Sequence, residues 1–406
     1  MSEFISLTYL NHNFETIQSL VQNHIVITSR RHEHSLSSLA PYKLLVVAPE
    51  KTSFTSFLNL SDAIAFSNTI YPDKKRFVID SSIPSLPCMK RLYLQDEENV
   101  NTQHWVNISG TWRKRENRQE QAYLSLLQDI LTNGDHRDTR NGTTLSLFSK
   151  TLSFDLRDGF PLLTTKRMFF RGIVEELLFF IRGQTDSKLL ENKGVNIWRP
   201  NTSRSFLDNL EMTTRPEGIM GPLYGYQWRH YNAPYDESTG TPLTPGIDQL
   251  QHVVDTIKTD PHSRRILLTT YNPLQASQGV LYPCHSIVNQ FYVSRGILHM
   301  SCYNRSQDTF LGTPFNIASS ALLLTLISAL TELTPGVLTM NLGDVHIYEP
   351  HIELVKEQVS RTPFPFPKLI LSKQVRSLAD VERLEASDFL IEDYNYCPAI
   401  KAEMVA

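Results

Sequence analysis

The sequence predicts an α/β protein, and three observations carry that prediction. From about residue 119 onward, amphipathic helical stretches alternate with short strand-like runs. Before that point, brief apolar runs are separated by polar turns. Hydrophobic residues make up 41% of a 406-residue chain, enough for a sizeable core.

Residues 1–115 read as a small N-terminal α/β unit. Ile25-Val26-Ile27, Leu44-Leu45-Val46-Val47, Phe77-Val78-Ile79 and Leu92-Tyr93-Leu94 are short strands. Leu60-Ser61-Asp62 opens a helix that includes residues 63–67. The charged stretch Arg113-Lys114-Arg115-Glu116-Asn117-Arg118 reads as a linker or a solvated helix start.

Residues 119–406 read as one long α/β domain. Tyr123, Leu124, Leu127, Ile130 and Leu131 share a helical face, and Asn133-Gly134 ends that helix. Ile173, Val174, Leu177, Leu178 and Ile181 form a second helix, closed by Gly183. Residues 249–258 form a third, stopped by Asp260-Pro261. Strands are expected over 265–271, 286–293 and 297–303, and a buried helix over 318–333. The apolar run 318–330 is too short for a bilayer and is broken by Ser319, Ser320, Thr325 and Ser328. Residues 201–218 and 231–246 are polar, turn-rich loops that read as insertions.

Charge and cysteine usage exclude several classes. The formal net charge is -3 with 20% charged residues, so no global field marks a nucleic-acid coat or a membrane-surface protein. An anion site must then be built locally from a few arginines. Cys88, Cys284, Cys302 and Cys397 are scattered without CxxC spacing, which argues against a disulfide scaffold and a structural zinc site. A reducing compartment fits, the cytoplasm first and the nucleus second. The segment 1–10 carries Glu3 and no basic start, so a secretory signal is not expected.

The chemistry gathers in a few segments. Leu281-Tyr282-Pro283-Cys284-His285 fixes a cysteine behind a proline at a strand entrance. Alone, that cysteine reads first as a small buried apolar residue; cations or donors at its thiolate would make it a nucleophile. Arg305 and Ser306, in Asn304-Arg305-Ser306-Gln307-Asp308, suit a phosphate, and Asp308 can accept from a heterocycle N–H. The plainer reading of that segment is a surface ion pair. Asn316, read as following a Pro314 turn, offers a donor and an acceptor to an amide-like base edge, or an N-cap to the next helix. Arg264 and Arg265 enter a strand side by side, so at least one should face a core or an interface unless both are solvated.

Taken together these segments resemble the thymidylate synthase family over roughly residues 120–406. The resemblance includes Leu156-Arg157-Asp158-Gly159-Phe160-Pro161-Leu162-Leu163-Thr164-Thr165-Lys166-Arg167, Glu175-Glu176-Leu177-Leu178 and Gly221-Pro222-Leu223-Tyr224-Gly225. It continues through the Cys284 and Arg305 segments, Pro314-Phe315-Asn316-Ile317-Ala318-Ser319 and Gly343-Asp344-Val345-His346-Ile347-Tyr348. It implies a three-layer α/β fold with a six-stranded mixed sheet, a homodimer, and methylation of dUMP by 5,10-methylenetetrahydrofolate as carbon and hydride donor, without a metal.

Roles follow from the resemblance position by position. Cys284 would add to C6 of dUMP, with a lowered thiol pKa, and Glu176 would organise proton-carrying waters. Arg305 and Ser306 would hold the phosphate, with Arg264 and Arg265 reaching in from the partner and Arg140 closing from a mobile loop. Asn316 would read uracil, His346 and Tyr348 would hold the ribose, and His285 belongs to the nucleotide site. Asp308, assigned to both substrates, would bind the pterin. Trp198 and Tyr224 would line the pocket, with Tyr224 counted among the catalytic groups. Lys166 would lie near the folate glutamate tail, Gly312 at the folate, and the carboxylate of Ala406 would fold over it as a lid.

Some positions depart from the family pattern. The loop at Arg140 is one residue shorter, and the strand after Cys284 one residue longer, which a β-bulge would absorb. Asn304 stands for a glutamine, Arg199 and Tyr271 for an aspartate and a tryptophan, and Asp393 and Cys397 for a glycine and a histidine. A dUMP hydroxymethylase on the same fold is the related alternative; aspartate in place of Asn316 would have suited dCMP. A retired enzyme that binds nucleotide, or RNA as a side function, is the alternative of another class.

The N-terminal segments 24–31, 58–66, 76–80 and 90–94 resemble, in order, the later part of a dihydrofolate reductase. Its first half is missing, and Asp80-Ser81-Ser82 stand where a glycine run is expected. The resemblance implies a truncated relic without reductase activity, with an unrelated extension as the alternative.

Overall fold

The computed structural model describes residues 117–405 and, before them, the backbone of seven strands: Glu3–Phe4, His24–Ser29, Tyr42–Val47, Thr52–Phe57, Lys75–Ile79, Trp105–Ile108 and Thr111–Lys114. The chain divides into two compact units, Met1–Glu116 and Asn117–Ala406. The seven strands form one mixed sheet in which His24–Ser29 runs parallel to Lys75–Ile79 and antiparallel to Tyr42–Val47. Arg113 and Lys114 belong to its last strand and not to a linker. The expected strand at Leu92-Tyr93-Leu94 and helix at 63–67 lie outside the described residues.

The second unit opens on helix α1 (Arg118–Asn133), capped by Asn117, whose side chain accepts from the Glu120 N–H. Gly134 ends α1 in extended backbone. Glycine is required there because a Cβ would meet the Ile130 carbonyl at 2.5 Å. Strands β1 (Asp135–Thr139) and β2 (Gly142–Asp155) form a hairpin with Arg140-Asn141 as its turn. Helices α2 (Phe170–Ile181), α3 (Gly225–His230) and α4 (Gln249–Thr259) follow. The loops between carry short helices at Arg199–Thr202 and Arg204–Asn209 and a small hairpin at Tyr235–Asp236 and Thr241–Pro242.

Strands β3 (Leu267–Thr269), β4 (Val288–Ser294) and β5 (Ile297–Asp308) precede helix α5 (Gly312–Leu330), strand β6 (Thr334–Tyr348) and helix α6 (Ile352–Val359). The six strands form one sheet in the order β3-β4-β5-β6-β2-β1. Only β5 and β6 pair in parallel, with α5 as their crossover; the other neighbours are antiparallel. The mixed six-stranded sheet is therefore present. Helix α5 packs on β5 and β6 on one side and on α2 on the other, so sheet, α5 and α2 form three successive layers.

The boundaries of three elements differ from the sequence reading. Helix α5 starts at Gly312, so Pro314 lies inside its first turn, where a missing N–H costs nothing, and Asn316 follows on the helix itself. Strand β3 keeps only three residues of the expected 265–271. Strand β5 runs five residues past Tyr303, because β6 continues beside it as far as His346.

One buried charge organises the core near the site. Glu120 is fully buried, and its carboxylate accepts from the N–H and hydroxyl groups of both Thr164 and Thr165 at 2.7 to 3.0 Å. Burial pushes its pKa up against those four bonds. It ties α1 to the segment that leads into Lys166, a link the sequence reading did not find.

Candidate active site

The loop that carries Cys284 is fastened from three directions. The Cys284 carbonyl accepts from the backbone N–H groups of Arg305 at 2.9 Å and Ser306 at 3.4 Å. The Arg305 guanidinium folds back to donate to the Pro283 carbonyl at 2.7 Å and the Tyr282 carbonyl at 2.9 Å. The Cys284 N–H donates to the Tyr224 hydroxyl at 3.4 Å. After the cysteine, Ser286 takes φ 50, and its N–H donates to Asn304 Oδ1 at 2.6 Å. The expected bulge beyond Cys284 is not found within β4. Pairing with β5 keeps one register from Val288 to Ser294, and the left-handed residue Ser286 changes the chain direction before the strand begins. The sheet's register shift lies instead between Leu298 and Met300.

Tyr224 is the residue the site is built around. Its backbone adopts φ 40 and ψ -103, a strained conformation for a bulky side chain. The next residue must be glycine, because a Cβ on Gly225 would lie 2.1 Å from the Phe180 carbonyl oxygen. The Tyr224 ring is sandwiched between Phe180, with centroids 5.0 Å apart, and His285 at 4.4 Å. That packing delivers the phenol oxygen to 3.5 Å from Cys284 Sγ. Burial, followed by the neighbouring Cys284, pushes the phenol well above its usual range, so it remains a donor. Burial also holds His285 down at about 4, so its ring is neutral near pH 7.

In the single chain, burial dominates at the thiol. Burial raises the Cys284 pKa above the ordinary thiol value, and the Tyr224 hydroxyl and the Arg305 charge offset this only in part. Among the described residues, Arg305 is the cation whose charge favours the thiolate. Glu176 faces the same group. Burial lifts its carboxyl to about 7, against the bond it accepts from the Trp198 indole N–H at 2.8 Å. Its neighbour Glu175 is instead paired with Lys193 at 2.8 Å. Two adjacent carboxylates thus divide between an ion pair and a group able to give or take a proton near neutral pH.

The rest of the expected site divides into residues brought together and residues kept apart. Asn316, on the second turn of α5, donates to Gln307 Oε1 at 3.0 Å. Asp308 Oδ1 accepts from the Phe310 and Leu311 N–H groups, both at 3.0 Å, ahead of α5. His346 meets Asp344 at 2.8 Å, and Asp344 also accepts from Arg137 and Ser146. The Tyr348 ring lies edge-on to His346 at 5.1 Å; burial, and next the Asp308 charge, raise its pKa, while a bond to Asn141 opposes them. Asp344 was missed, although alternation along a strand puts residues 344 and 346 on one face.

Lys166 is turned inward. It is 5% exposed, donates to the Phe310 carbonyl, and lies 3.9 Å from the Phe310 ring centroid. Burial brings its pKa down to about 7, with Asp308 opposing. Arg264 and Arg265 lie in an exposed turn, not on opposite faces of a strand. In β3 the pairing sets Thr269 opposite Val288 and Leu267 opposite Gln290, so both arginines lie at the end remote from their own Cys284. Arg140 is exposed at the β1–β2 turn. The C-terminal segment is already seated: the Arg361 guanidinium donates to the Pro398 carbonyl at 2.6 Å, Cys397 donates its N–H to the Thr164 carbonyl, and His351 meets the Glu403 carbonyl. Asp393, standing for a glycine, has φ 59, the conformation that favours glycine there. Ala406 lies outside the described residues.

A half-buried cysteine beside a phenol donor, an arginine and a near-neutral carboxyl defines a nucleophilic-cysteine enzyme. The thymidylate synthase family model matches residues 121–406. The chain is 50% identical over 286 residues to the thymidylate synthase of Homo sapiens, covering 70% of this chain and 90% of that protein. It is 45% identical over 300 residues to that of Saccharomyces cerevisiae, covering 71% and 97%. A bifunctional dihydrofolate reductase-thymidylate synthase of Zea mays is 44% identical over 287 residues, 70% of this chain and 54% of that protein. The chain belongs to the thymidylate synthase family.

The pKa of Glu176 has a stability consequence with a definite sign. A carboxyl raised from 4.5 to about 7 favours the fold at low pH and loses that contribution as pH rises through 7. Glu176→Gln should therefore raise Tm relative to the parent at pH 8 and by much less at pH 5, while removing the limb near pH 7 from the activity profile. A Tm difference equal at both pH values would contradict the assignment.

Proposed function

We propose that the residues around Cys284 divide the work of reductive dUMP methylation as follows. Cys284 adds through sulfur to C6 of the uracil ring, and the displaced electron pair moves toward C5 and O4. Tyr224 keeps its proton and supports the sulfur, and Arg305 lowers the cost of the thiolate as it grips the phosphate with Ser306. Glu176, titrating near neutral pH, relays protons at the ring. Asn316 reads the uracil edge, and His346 and Tyr348 hold the ribose. The observation that carries this reading is the 3.5 Å contact between the Tyr224 hydroxyl and Cys284 Sγ, with Glu176 acting on both groups.

The 5,10-methylenetetrahydrofolate co-substrate supplies the carbon and the hydride and leaves as dihydrofolate. The residues present fit it. Asp308 Oδ2 accepts no bond among the described residues, which leaves it for a pterin N–H. Gly312 has no inward steric demand, since an added Cβ would meet nothing nearer than Asp308 at 3.7 Å; close approach of a ligand explains a glycine there. Trp198, at 8% exposure, holds Glu176 and walls the same space. Mixing the protein with 5-fluoro-dUMP and the folate should give a covalent ternary complex by intact mass, absent in Cys284→Ser. A complex that persists in that variant would assign the nucleophile elsewhere.

The assembly we propose is a homodimer that buries the open face of the sheet. Leu267, Val288, Tyr292 and Tyr303 are exposed side by side there, at 41%, 36%, 66% and 41%. Arg264 and Arg265, remote from their own cysteine, would then serve the partner's phosphate site. Mixing Cys284→Ser with a double Arg264→Ala, Arg265→Ala variant should restore activity that neither has alone. Mixtures as inactive as their parents would place both arginines in their own subunit's site.

For residues 1–115 we propose a degenerate dihydrofolate reductase-like unit in a reducing compartment, the cytoplasm. Its support is the order of four reductase-like segments and the fused architecture named for the Zea mays relative. NADPH-dependent reduction of dihydrofolate should be absent, and measurable turnover would refute it.

A further inference from the structure

We propose that Gln307 is a positioning residue that locks the Asn316 amide in the orientation that reads uracil and refuses cytosine. The inference rests on the reading of Asn316 as the base-contacting group. Gln307 is 2% exposed and lies between the phosphate residue Ser306 and the folate residue Asp308 in sequence. Its side chain reaches α5, where its Oε1 accepts from Asn316 Nδ2 at 3.0 Å and from the Thr313 hydroxyl at 3.2 Å.

The orientation of both amides follows from one backbone carbonyl. Gln307 Nε2 lies 3.0 Å from the Ser306 carbonyl oxygen, which can only accept, so the nitrogen must be the end that faces it. That puts Oε1 at the other end, against Asn316. An oxygen there can only accept, so Asn316 must present its Nδ2. One N–H of Asn316 is then held, leaving its second N–H and its Oδ1 for a ligand.

That remaining pair matches one pyrimidine. Uracil offers N3–H as donor and O4 as acceptor, and the free Oδ1 and N–H complement them. Cytosine offers N3 as acceptor and an exocyclic amino group as donor, the reverse order. An unconstrained asparagine adapts by turning its amide over. Here the turn would break the bond to Gln307 and set Oδ1 against Oε1, two acceptors face to face in a poorly hydrated place. Gln307 therefore converts an adaptable amide into a selective one.

The test compares binding constants for dUMP and dCMP in the full-length parent, Gln307→Leu and Gln307→Glu, with fold checked by Tm. Leucine removes the acceptor at similar volume, and glutamate keeps an acceptor oxygen toward Asn316. In Gln307→Leu the preference for dUMP over dCMP should fall by about tenfold or more, the scale of one polar group left unmatched. KM for dUMP should rise more than kcat falls. Gln307→Glu keeps the acceptor toward Asn316 but sets its second oxygen against the Ser306 carbonyl, so it should lose less of that preference than Gln307→Leu. An unchanged preference in a folded Gln307→Leu overturns the inference, as does an equal loss in both variants, which would mark a packing role. A parent that binds neither nucleotide would overturn the reading of the site itself.

Discussion

Everything around the nucleophile depends on where the Tyr224 hydroxyl is held. It receives the Cys284 N–H, lies within reach of the thiol, and is fixed by a ring pressed between Phe180 and His285. The backbone tolerates φ 40 at this residue because Gly225 lets the turn press against α2. Strain at Tyr224 and close packing at Gly225 are thus two sides of one placement. From the far side, Arg305 ties the cysteine loop to β5, so the nucleophile is suspended between α3 and the sheet.

Burial sets the electrostatics. It raises Cys284 and Glu176, lowers Lys166 and His285, and leaves each group less charged than it would be in water. Taken as one chain, the protein therefore has a protonated nucleophile near pH 7. In the homodimer proposed above, Arg264 and Arg265 of the second subunit would add positive charge at the phosphate site beside Arg305.

Much of this was readable in the sequence where a local rule decides the outcome. Gly134 ends α1, Asp260 stops α4, and the apolar face of α2 is buried as its spacing requires. The family motifs identified Cys284, Glu176, Tyr224 and Arg305, and the structure gathers them. Local rules failed where position within an element matters. Pro314 looks like a break in sequence but belongs to a first turn, and the burial of Lys166 has no local signal. Gln307 and Glu120 were invisible because their partners lie across a strand–helix or helix–loop contact, at no fixed spacing. The direction of the thiol pKa in the single chain was not legible, because burial of the sulfur is set by packing that no local motif records.

The claim that burial outweighs the local cation at Cys284 is tested most directly by its alkylation rate. Iodoacetamide labelling of the Cys284 peptide in the nucleotide-free protein, followed across pH by mass spectrometry, reports the thiolate fraction. The account predicts a midpoint above the roughly 8.5 of a free thiol, moving higher still in Tyr224→Phe. A midpoint below that of a free thiol in the nucleotide-free protein would contradict it.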